Sequence, residues 1–246
     1  MTVPDWVDRA AQVVVAGAKP GVRLPLLKQP VLLTANGAAL LGPPYRARCG
    51  AWVISVVDSG VLAKDTTVQQ AIRQSRPDEL LIVGDVIAER EAFMRKTLAL
   101  EHTVLRTMAY RERFEFLREA AGRRAWAIAA HDLKSPKRLL EYLRRIATPE
   151  RMAFVTASTG MNAVFYARRR FAAAREIITA GIGLQPGGHF YGVGRMSSSR
   201  ARADRMLMQA WPPARRAWLY TTDPVMQSLG RVPAWTGECW TPEPPE

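Results

Sequence analysis

The residues of this sequence that could do chemistry lie in short glycine-rich and hydroxyl-rich stretches, and "GGHFYG" is the most informative of them. His189 and Tyr191 stand here within a glycine-rich run that covers residues 181–194. An unperturbed imidazole has a pKa of about 6.5, so it can donate a hydrogen bond or take a proton near neutral pH. The setting favours phosphate binding or proton transfer by His189 over a place in the core.

A second stretch, "TASTGMNAVFYARRRF", places Ser158, Thr159 and Gly160 between a short apolar run and an amphipathic pattern. Small hydroxyl residues in that position are typical of a helix cap. The start of a helix also has unused backbone amides that attract oxyanions, and Gly160 would allow a ligand to approach the backbone. We therefore interpret the turn as a cap, as an anion site, or as both.

The third stretch, "LLTANGAALLG", has Asn36 and Gly37 directly after an apolar run. The Asn36 amide offers both a donor and an acceptor, and Gly37 would let a ligand lie close to the backbone. An ordinary Asn-Gly turn is the alternative interpretation. The stretch has neither the spacing of a Walker loop nor that of a GxGxxG dinucleotide motif.

Asp58 and His131 are further candidates. Asp58 ends an apolar run, and His131 precedes Asp132 in "AAHDLKSPKR". His131 and Asp132 could form an acid–base couple, but we favour the interpretation in which this stretch forms a turn and caps a helix. No spacing of His, Cys and carboxylates predicts a metal site, and neither a GxSxG nor a DxD motif is present. We therefore expect no metal and no cofactor.

These stretches are positioned by an alternation of short apolar runs and longer amphipathic patterns. Strands are predicted at 30–35, 51–57, 79–83, 125–130, 152–155, 176–180 and 217–220, and helices at 87–100, 111–121, 136–146, 160–173 and 199–211. This order indicates an α/β fold with a mostly parallel sheet flanked by helices. Ligands bind beyond the carboxyl ends of such strands, so we expect Asn36 and the 158–160 turn to line one pocket.

The bulk composition sets limits on the class of protein. The 246 residues are 48% hydrophobic, which predicts a single domain, with 1–29 as an N-terminal extension and 236–246 as a proline-rich tail. The net charge of +13 favours an anionic partner, but no nucleic-acid-binding motif is present, so we expect no dedicated nucleic-acid binding. Two cysteines and the lack of a long apolar segment predict a cytoplasmic protein, and the basic surface suits an anionic inner membrane.

Taken in order, the three motifs resemble those of the eukaryotic-type sialyltransferase family and its bacterial relatives. Asn36 and Gly37 match the first motif, Ser158, Thr159 and Gly160 the second, and His189 and Tyr191 the third. The resemblance extends over residues 30–208. It implies a Rossmann-like, single-domain glycosyltransferase of a GT-A-like variety, with these residues contacting a CMP donor.

The resemblance further implies transfer of a sialic-acid-like or 3-deoxy-octulosonate sugar to a glycan, glycolipid or protein acceptor that is itself anionic. The sequence departs from the family where a catalytic-base histidine is expected, because "MSSSRARADRMLM" has none. Either Asp204 or His189 takes over as the base, or the acceptor chemistry differs, or the protein is inactive. The family's first motif also continues into a strand with a charged residue and an Asn, whereas "AWVISVVDSG" offers only Ser55 and Asp58. Two alternatives stay open, a non-catalytic nucleotide-binding or glycan-binding protein with the same fold, and another nucleotide-dependent transferase such as a methyltransferase.

Overall fold

The computed structural model describes residues 2–84, 92, 95–129, 157–191, 195–196 and 198–243. Seven strands form one sheet in which every neighbouring pair is parallel. The strands of the described residues are β1 (Gln12–Ala16), β2 (Leu24–Pro25), β3 (Val31–Ala35), β4 (Trp52–Asp58), β5 (Glu79–Val83), β6 (Val104–Met108), β7 (Glu176–Ala180), β8 (Gly187–Gly188), β9 (Arg195–Met196), β10 (Leu219–Thr221) and β11 (Cys239–Trp240). The predicted α/β class with a parallel sheet is confirmed.

The strand order in the large sheet is β10-β7-β1-β3-β4-β5-β6. From β1 the chain builds the sheet in one direction through β3, β4, β5 and β6, and later returns to add β7 and β10 on the other side. The boundary between β1 and β7 is therefore a topological switch point, where the loops that follow neighbouring strands diverge and leave a crevice.

Helices cover the sheet. Among the described residues they are α1 (Asp5–Asp8), α2 (Gly42–Cys49), α3 (Ser59–Leu62), α4 (Thr66–Ser75), α5 (Tyr110–Ala121), α6 (Arg124–Ala129), α7 (Thr159–Arg170), α8 (Ser198–Ala210) and α9 (Pro224–Gly230), with 3₁₀ turns at Asn36–Leu41 and Pro213–Arg216.

Alternation of side chains along the strands explains the layers, because successive residues of a strand face opposite sides of a sheet. In β1, Val13 and Val15 belong to a buried cluster with Phe165 of α7. Val14 lies in a second buried cluster on the other face, with Tyr45 of α2. Both faces of the central strands are thus apolar and covered, as a parallel sheet requires.

The central strand β1 is the largest departure from the predicted elements. Segment 1–29, interpreted from sequence as an extension, contributes this strand to the middle of the sheet. The run of valines in "QVVVA" is β-branched and fully buried, which explains its place there. The edge strand β6 was also not predicted, because its outward-facing residues break the apolar run.

The strand predicted at 125–130 is wrong, because Arg124–Ala129 is a helix. Ala125 and Ile128 are buried while Trp126 between them is 53% exposed, which is the spacing of a helix face and not of a strand. The predicted strand 152–155 and helix 136–146 lie outside the described residues, as does much of helix 87–100.

Part of the predicted proline-rich tail packs back on the domain. Residues Cys239 and Trp240 of β11 pair with Pro25 and Leu24 of β2 in an antiparallel bridge. In the described part of the chain, no helix combines the length and the apolarity that crossing a bilayer demands.

Candidate functional site

A pocket of about 330 Å³ lies beyond the carboxyl ends of β1, β3 and β7, at the switch point of the sheet. This volume lies within the range of small-molecule sites in proteins. Most of its wall is formed by the loops that follow those strands and by the start of α7. Its lining residues are Gly17, Ala18, Lys19, Ala35, Asn36, Val61, Asp65, Ser158, Thr159, Gly160, Gly181, Ile182, Gly183, Gln185, Gly187, Gly188, His189, Tyr191 and Arg200.

The floor of the pocket depends on close contact between the loops after β1 and β7. The Gly17 N–H donates to the Ala180 carbonyl at 2.8 Å. A Cβ on Gly17 would lie 2.3 Å from the Gly181 carbonyl oxygen, a distance that no side chain tolerates. Gly181 itself has a φ of +65°, which favours glycine. The loop after β1 was not among the predicted ligand loops, although "VVVAGAKPG" carries the signal of a buried strand followed by a glycine turn.

Asn36 and the 158–160 turn meet in this pocket, as the argument from parallel strands predicts. The Asn36 amide Nδ2 donates to Thr159 Oγ1 at 3.3 Å. Asn36 adopts a φ of +52°, a left-handed conformation that Asn tolerates better than most residues. Its amide oxygen Oδ1 is buried and has no hydrogen-bond partner among the described residues. A buried acceptor in that state favours a bound donor group.

The Ser158 hydroxyl caps α7, in agreement with the simpler of the two interpretations of the turn. Ser158 Oγ accepts a hydrogen bond from the Met161 N–H at 3.3 Å. The first intrahelical bond runs from the Asn162 N–H to the Ser158 carbonyl at 2.9 Å. The amides of Thr159 and Gly160 precede that bond, so the helix itself does not use them. These two amides are the groups of the turn that suit an oxyanion.

Asp204 holds the turn from behind and does not line the pocket. It lies on α8, is 0% exposed, and its Oδ1 accepts from the Ser158 N–H at 2.8 Å. Burial raises the pKa of Asp204 to about 7, although hydrogen bonds from Ser158 and the charges of Arg200 and Arg113 act in the opposite direction. A general base must reach the proton it takes. The buried position therefore does not support the sequence-based choice of Asp204 as the base.

Asp58, another candidate from sequence, is engaged away from the pocket. Its Oδ1 accepts from the Gly60 N–H at 3.0 Å and caps α3. Its Oδ2 forms an ion pair with Arg113 Nη1 at 3.0 Å. Arg113 is almost fully buried and also donates to the Ala157 carbonyl at 3.3 Å. Asp58 thus fixes the position of Arg113, which in turn binds the Ala157 carbonyl. The sequence gives no signal for the contact between Asp58 and Arg113.

Asn162 completes the support of the turn. Its amide Nδ2 donates to the carbonyls of Ala157 at 2.9 Å and Ser158 at 3.0 Å. Together, Arg113, Asn162 and Asp204 hold residues 157–158 from three different helices, and we call these three side chains the clamp. A turn fixed by several buried polar side chains keeps the amides of Thr159 and Gly160 in one orientation.

The loop that carries His189 and Tyr191 closes one side of the pocket. The two rings stack, with centroids 5.0 Å apart. Tyr191 lies over Gly37, where an added Cβ would stand 2.3 Å from its ring. Burial and then the charge of Asp65 raise the pKa of Tyr191 to about 12, so its phenol stays neutral at physiological pH. Gly37 is thus needed for the position of Tyr191, while His189 and Tyr191 both face the pocket.

Three charged residues that line the pocket were not predicted as site residues. Lys19 follows β1, Asp65 precedes α4, and Arg200 lies on α8. Lys19 lies in "VVVAGAKPG", whose strand-and-turn pattern was not used, and Asp65 lies in a loop that carries no motif of its own. Their positions could have been found only by recognising β1 and by extending the loop after β4 to α4.

His131 lies outside the described residues. Across the ranges that the structure describes, no three His, Cys, Asp or Glu side chains group as metal ligands. Comparisons of the chain with protein-family models, with curated proteins and with solved structures returned no match.

Proposed function

We propose that this protein is a glycosyltransferase that moves a sialic-acid-like or 3-deoxy-octulosonate sugar from a CMP donor to a glycan, lipid or protein acceptor. The observation that carries the proposal is the meeting of Asn36 with the turn at Ser158, Thr159 and Gly160 in a pocket at the switch point. Open α/β sheets bind nucleotides at such points. The order of the motifs resembles that of the sialyltransferases and their bacterial relatives. The proposal therefore also assigns the domain to a GT-A-like variant of the Rossmann-like fold.

The chemistry rests on stabilisation of a departing CMP phosphate. The amides of Thr159 and Gly160 stand at the positive end of the α7 dipole, and they would hold the phosphate as its charge develops. The carboxylate of the sugar offsets the positive charge of an oxocarbenium-like transition state. The proposal invokes no divalent ion, because the sequence has no DxD motif.

His189 is the residue to which we assign proton transfer. It lines the pocket, whereas Asp204 is buried behind the turn. An imidazole at this place either donates to the leaving phosphate or takes the proton of the acceptor hydroxyl. Both roles require His189 to reach the reacting atoms, so its removal tests them together.

One observation favours a second candidate, a non-catalytic nucleotide-binding protein. Among the described residues that line the pocket, the single carboxylate is Asp65, and its Oδ1 already caps α4 by accepting from the Val68 N–H at 3.1 Å. Such a pocket would bind CMP without an acidic base. The basic net charge of +13 suits an anionic acceptor or an anionic membrane surface under either candidate.

Release of CMP from a CMP-sugar separates the two candidates. The purified protein is incubated with CMP-N-acetylneuraminate or CMP-3-deoxy-octulosonate, and free CMP is measured with and without a panel of glycan acceptors. A transferase releases CMP faster than the uncatalysed control, including slow hydrolysis without acceptor. Binding of CMP without any release above the control would favour the non-catalytic candidate.

A further inference from the structure

A second cleft, of about 350 Å³, is formed by the end of α8, the 3₁₀ turn before β10 and the end of α9. Arg216 and Arg231 both line it, and we call it the arginine cleft. Arg216 precedes β10 in the chain, whereas the first pocket lies beyond the carboxyl ends of the strands. Among the described residues, the two sites share no lining residue, so the arginine cleft is a separate site.

Arg216 is a buried arginine whose hydrogen-bond partners are neutral. It is 3% exposed, and its Nε donates to the Trp211 carbonyl and its Nη1 to the Arg231 carbonyl, both at 3.1 Å. Within the part of the chain that the structure describes, Nη2 of Arg216 and the guanidinium of Arg231 donate no hydrogen bond, and neither residue forms an ion pair. The described residues that line the cleft also include no carboxylate.

Two other arginines show how this fold pairs guanidinium groups that it removes from water. Arg113, which is as buried as Arg216, lies 3.0 Å from the Asp58 carboxylate. Arg170 lies 2.7 Å from the buried Glu79 carboxylate. Burying a charge without a counter-ion costs free energy, so buried charges in proteins are normally paired. Arg216 departs from this pattern, which points to a counter-ion that comes from outside the chain.

The charge and the wall of the cleft define the class of ligand. Burial, and then the like charge of Arg231, lower the pKa of Arg216, but a guanidinium keeps its proton in a protein. Two guanidinium groups at one cleft match an anion with close to two negative charges and several acceptor oxygens, as a phosphomonoester has near neutral pH. Met208 and Leu229 line the same cleft and offer apolar contacts to the rest of a ligand.

We propose that the arginine cleft binds a phosphomonoester with an apolar carbon part, whose phosphate pairs with Arg216 and Arg231 and whose carbon part packs against Met208 and Leu229. A carboxylate has a single charge and would neutralise only one of the two guanidinium groups. The inference goes beyond the proposed function, because it adds a second ligand at a site separate from the nucleotide pocket. It does not depend on the identity of the first ligand.

Calorimetric titration with phenyl phosphate, inorganic phosphate and benzoate tests the cleft. Phenyl phosphate should bind the wild type about tenfold more tightly than benzoate, which has one charge. It should also bind more tightly than inorganic phosphate, because its ring leaves water. Arg216→Met and Arg231→Met should each weaken phenyl phosphate about tenfold, since each removes a charge-assisted hydrogen bond. Arg231→Lys keeps the positive charge and should restore part of the affinity.

Two variants serve as controls, and both should bind phenyl phosphate as the wild type does. Arg202→Met removes an exposed arginine of α8 that lines neither site. Lys19→Met removes a cation of the first pocket. Melting temperatures verify the folding of each variant. Arg231 is exposed, so Arg231→Met still decides the question if Arg216→Met does not fold.

Unchanged affinity for phenyl phosphate in Arg231→Met would overturn the proposal, as would an equal loss in Arg202→Met. Loss of binding in Lys19→Met alone would place the phosphate in the first pocket and would overturn the proposal too. Equal affinities of the wild type for phenyl phosphate and either of the other probes would contradict the proposed ligand class. CMP binding should be unchanged in Arg231→Met. Failure of the wild type to bind CMP would reject the proposed function and leave the arginine cleft standing.

Discussion

Asp204 is a buried carboxyl group whose ionisation is coupled to folding. Its pKa is raised from 3.8 to about 7 because burial disfavours the charged form. The native state therefore holds this proton more tightly than the unfolded chain does. The resulting stability is fully present below pH 3.8 and is lost as the pH rises through about 7.

Asp204→Asn should remove this pH dependence. The free energy of unfolding of the variant is subtracted from that of the wild type. Because all other titratable groups are shared, the difference reports the contribution of the Asp204 carboxyl group alone. The difference should fall by up to about 1.4 kcal/mol for each pH unit between pH 4 and 7, and should be flat at higher pH. Denaturant titrations at several pH values measure it. The variant should also keep its transfer activity, and a loss of rate with CMP affinity unchanged would restore Asp204 as the base.

His189→Ala tests the proton-transfer residue. Removing a group that acts in the transition state should lower the rate of transfer by about 100-fold, while the fold survives because His189 is only partly buried in a loop. His189→Phe keeps a ring that can stack on Tyr191 but cannot form a hydrogen bond to the substrate, so it should lower the rate of transfer by the same factor. His102, exposed and outside the pocket, provides the control as His102→Ala. Wild-type activity in His189→Ala would reduce the loop to a structural element.

The residues of the pocket and of the clamp behind it were predictable from sequence only in part. Asn36, Ser158, Thr159, Gly160, His189 and Tyr191 stand in local patterns of turn and glycine residues, and the structure brings them together. Arg113 and Asn162 lie within helices and act through contacts with Ala157. Contacts between distant segments leave no local pattern, so neither residue could be chosen in advance.

At the scale of elements, the contact between the loops after β1 and β7 fixes the switch point. Gly17→Ala should destabilise the protein by about 1–3 kcal/mol, because the added methyl group meets backbone that cannot rotate away. Gly187→Ala is the matched control in the same pocket, since a Cβ there has nothing within 4 Å. Denaturation midpoints measure both. If the two variants had equal denaturation midpoints, the close contact between the loops after β1 and β7 would not be needed for stability.

Elements whose sequence shows one clear periodicity were predicted well, whereas elements whose sequence fits a strand and a helix alike were not. The buried strands β3, β4, β5 and β7 read as apolar runs bounded by turn residues. The alanine-rich segment at Arg124–Ala129 suits a short strand or a helix equally on composition, and packing of Ala125 and Ile128 decides for the helix. Sheet order is set by pairing of distant strands, so the central place of β1 could not be deduced.

At the scale of the whole molecule, the net charge of +13 predicts association with anionic surfaces. Cosedimentation with vesicles should rise with the fraction of anionic lipid and fall as salt is added, because the Debye length shortens from about 10 Å at 0.1 M to about 3 Å at 1 M. Vesicles of neutral lipid are the control. Binding that ignores both lipid charge and salt would contradict an electrostatic origin.

The central claim is that the pocket at the switch point is built for CMP, and a thermal-shift titration tests it most directly. CMP is compared with UDP, GDP and S-adenosylmethionine on the wild-type protein. At a ligand concentration about 100 times the dissociation constant, CMP should add about 2.7 kcal/mol to the free energy of unfolding, while the other three add little. Absence of a shift with CMP, or an equal shift with UDP, would contradict the account.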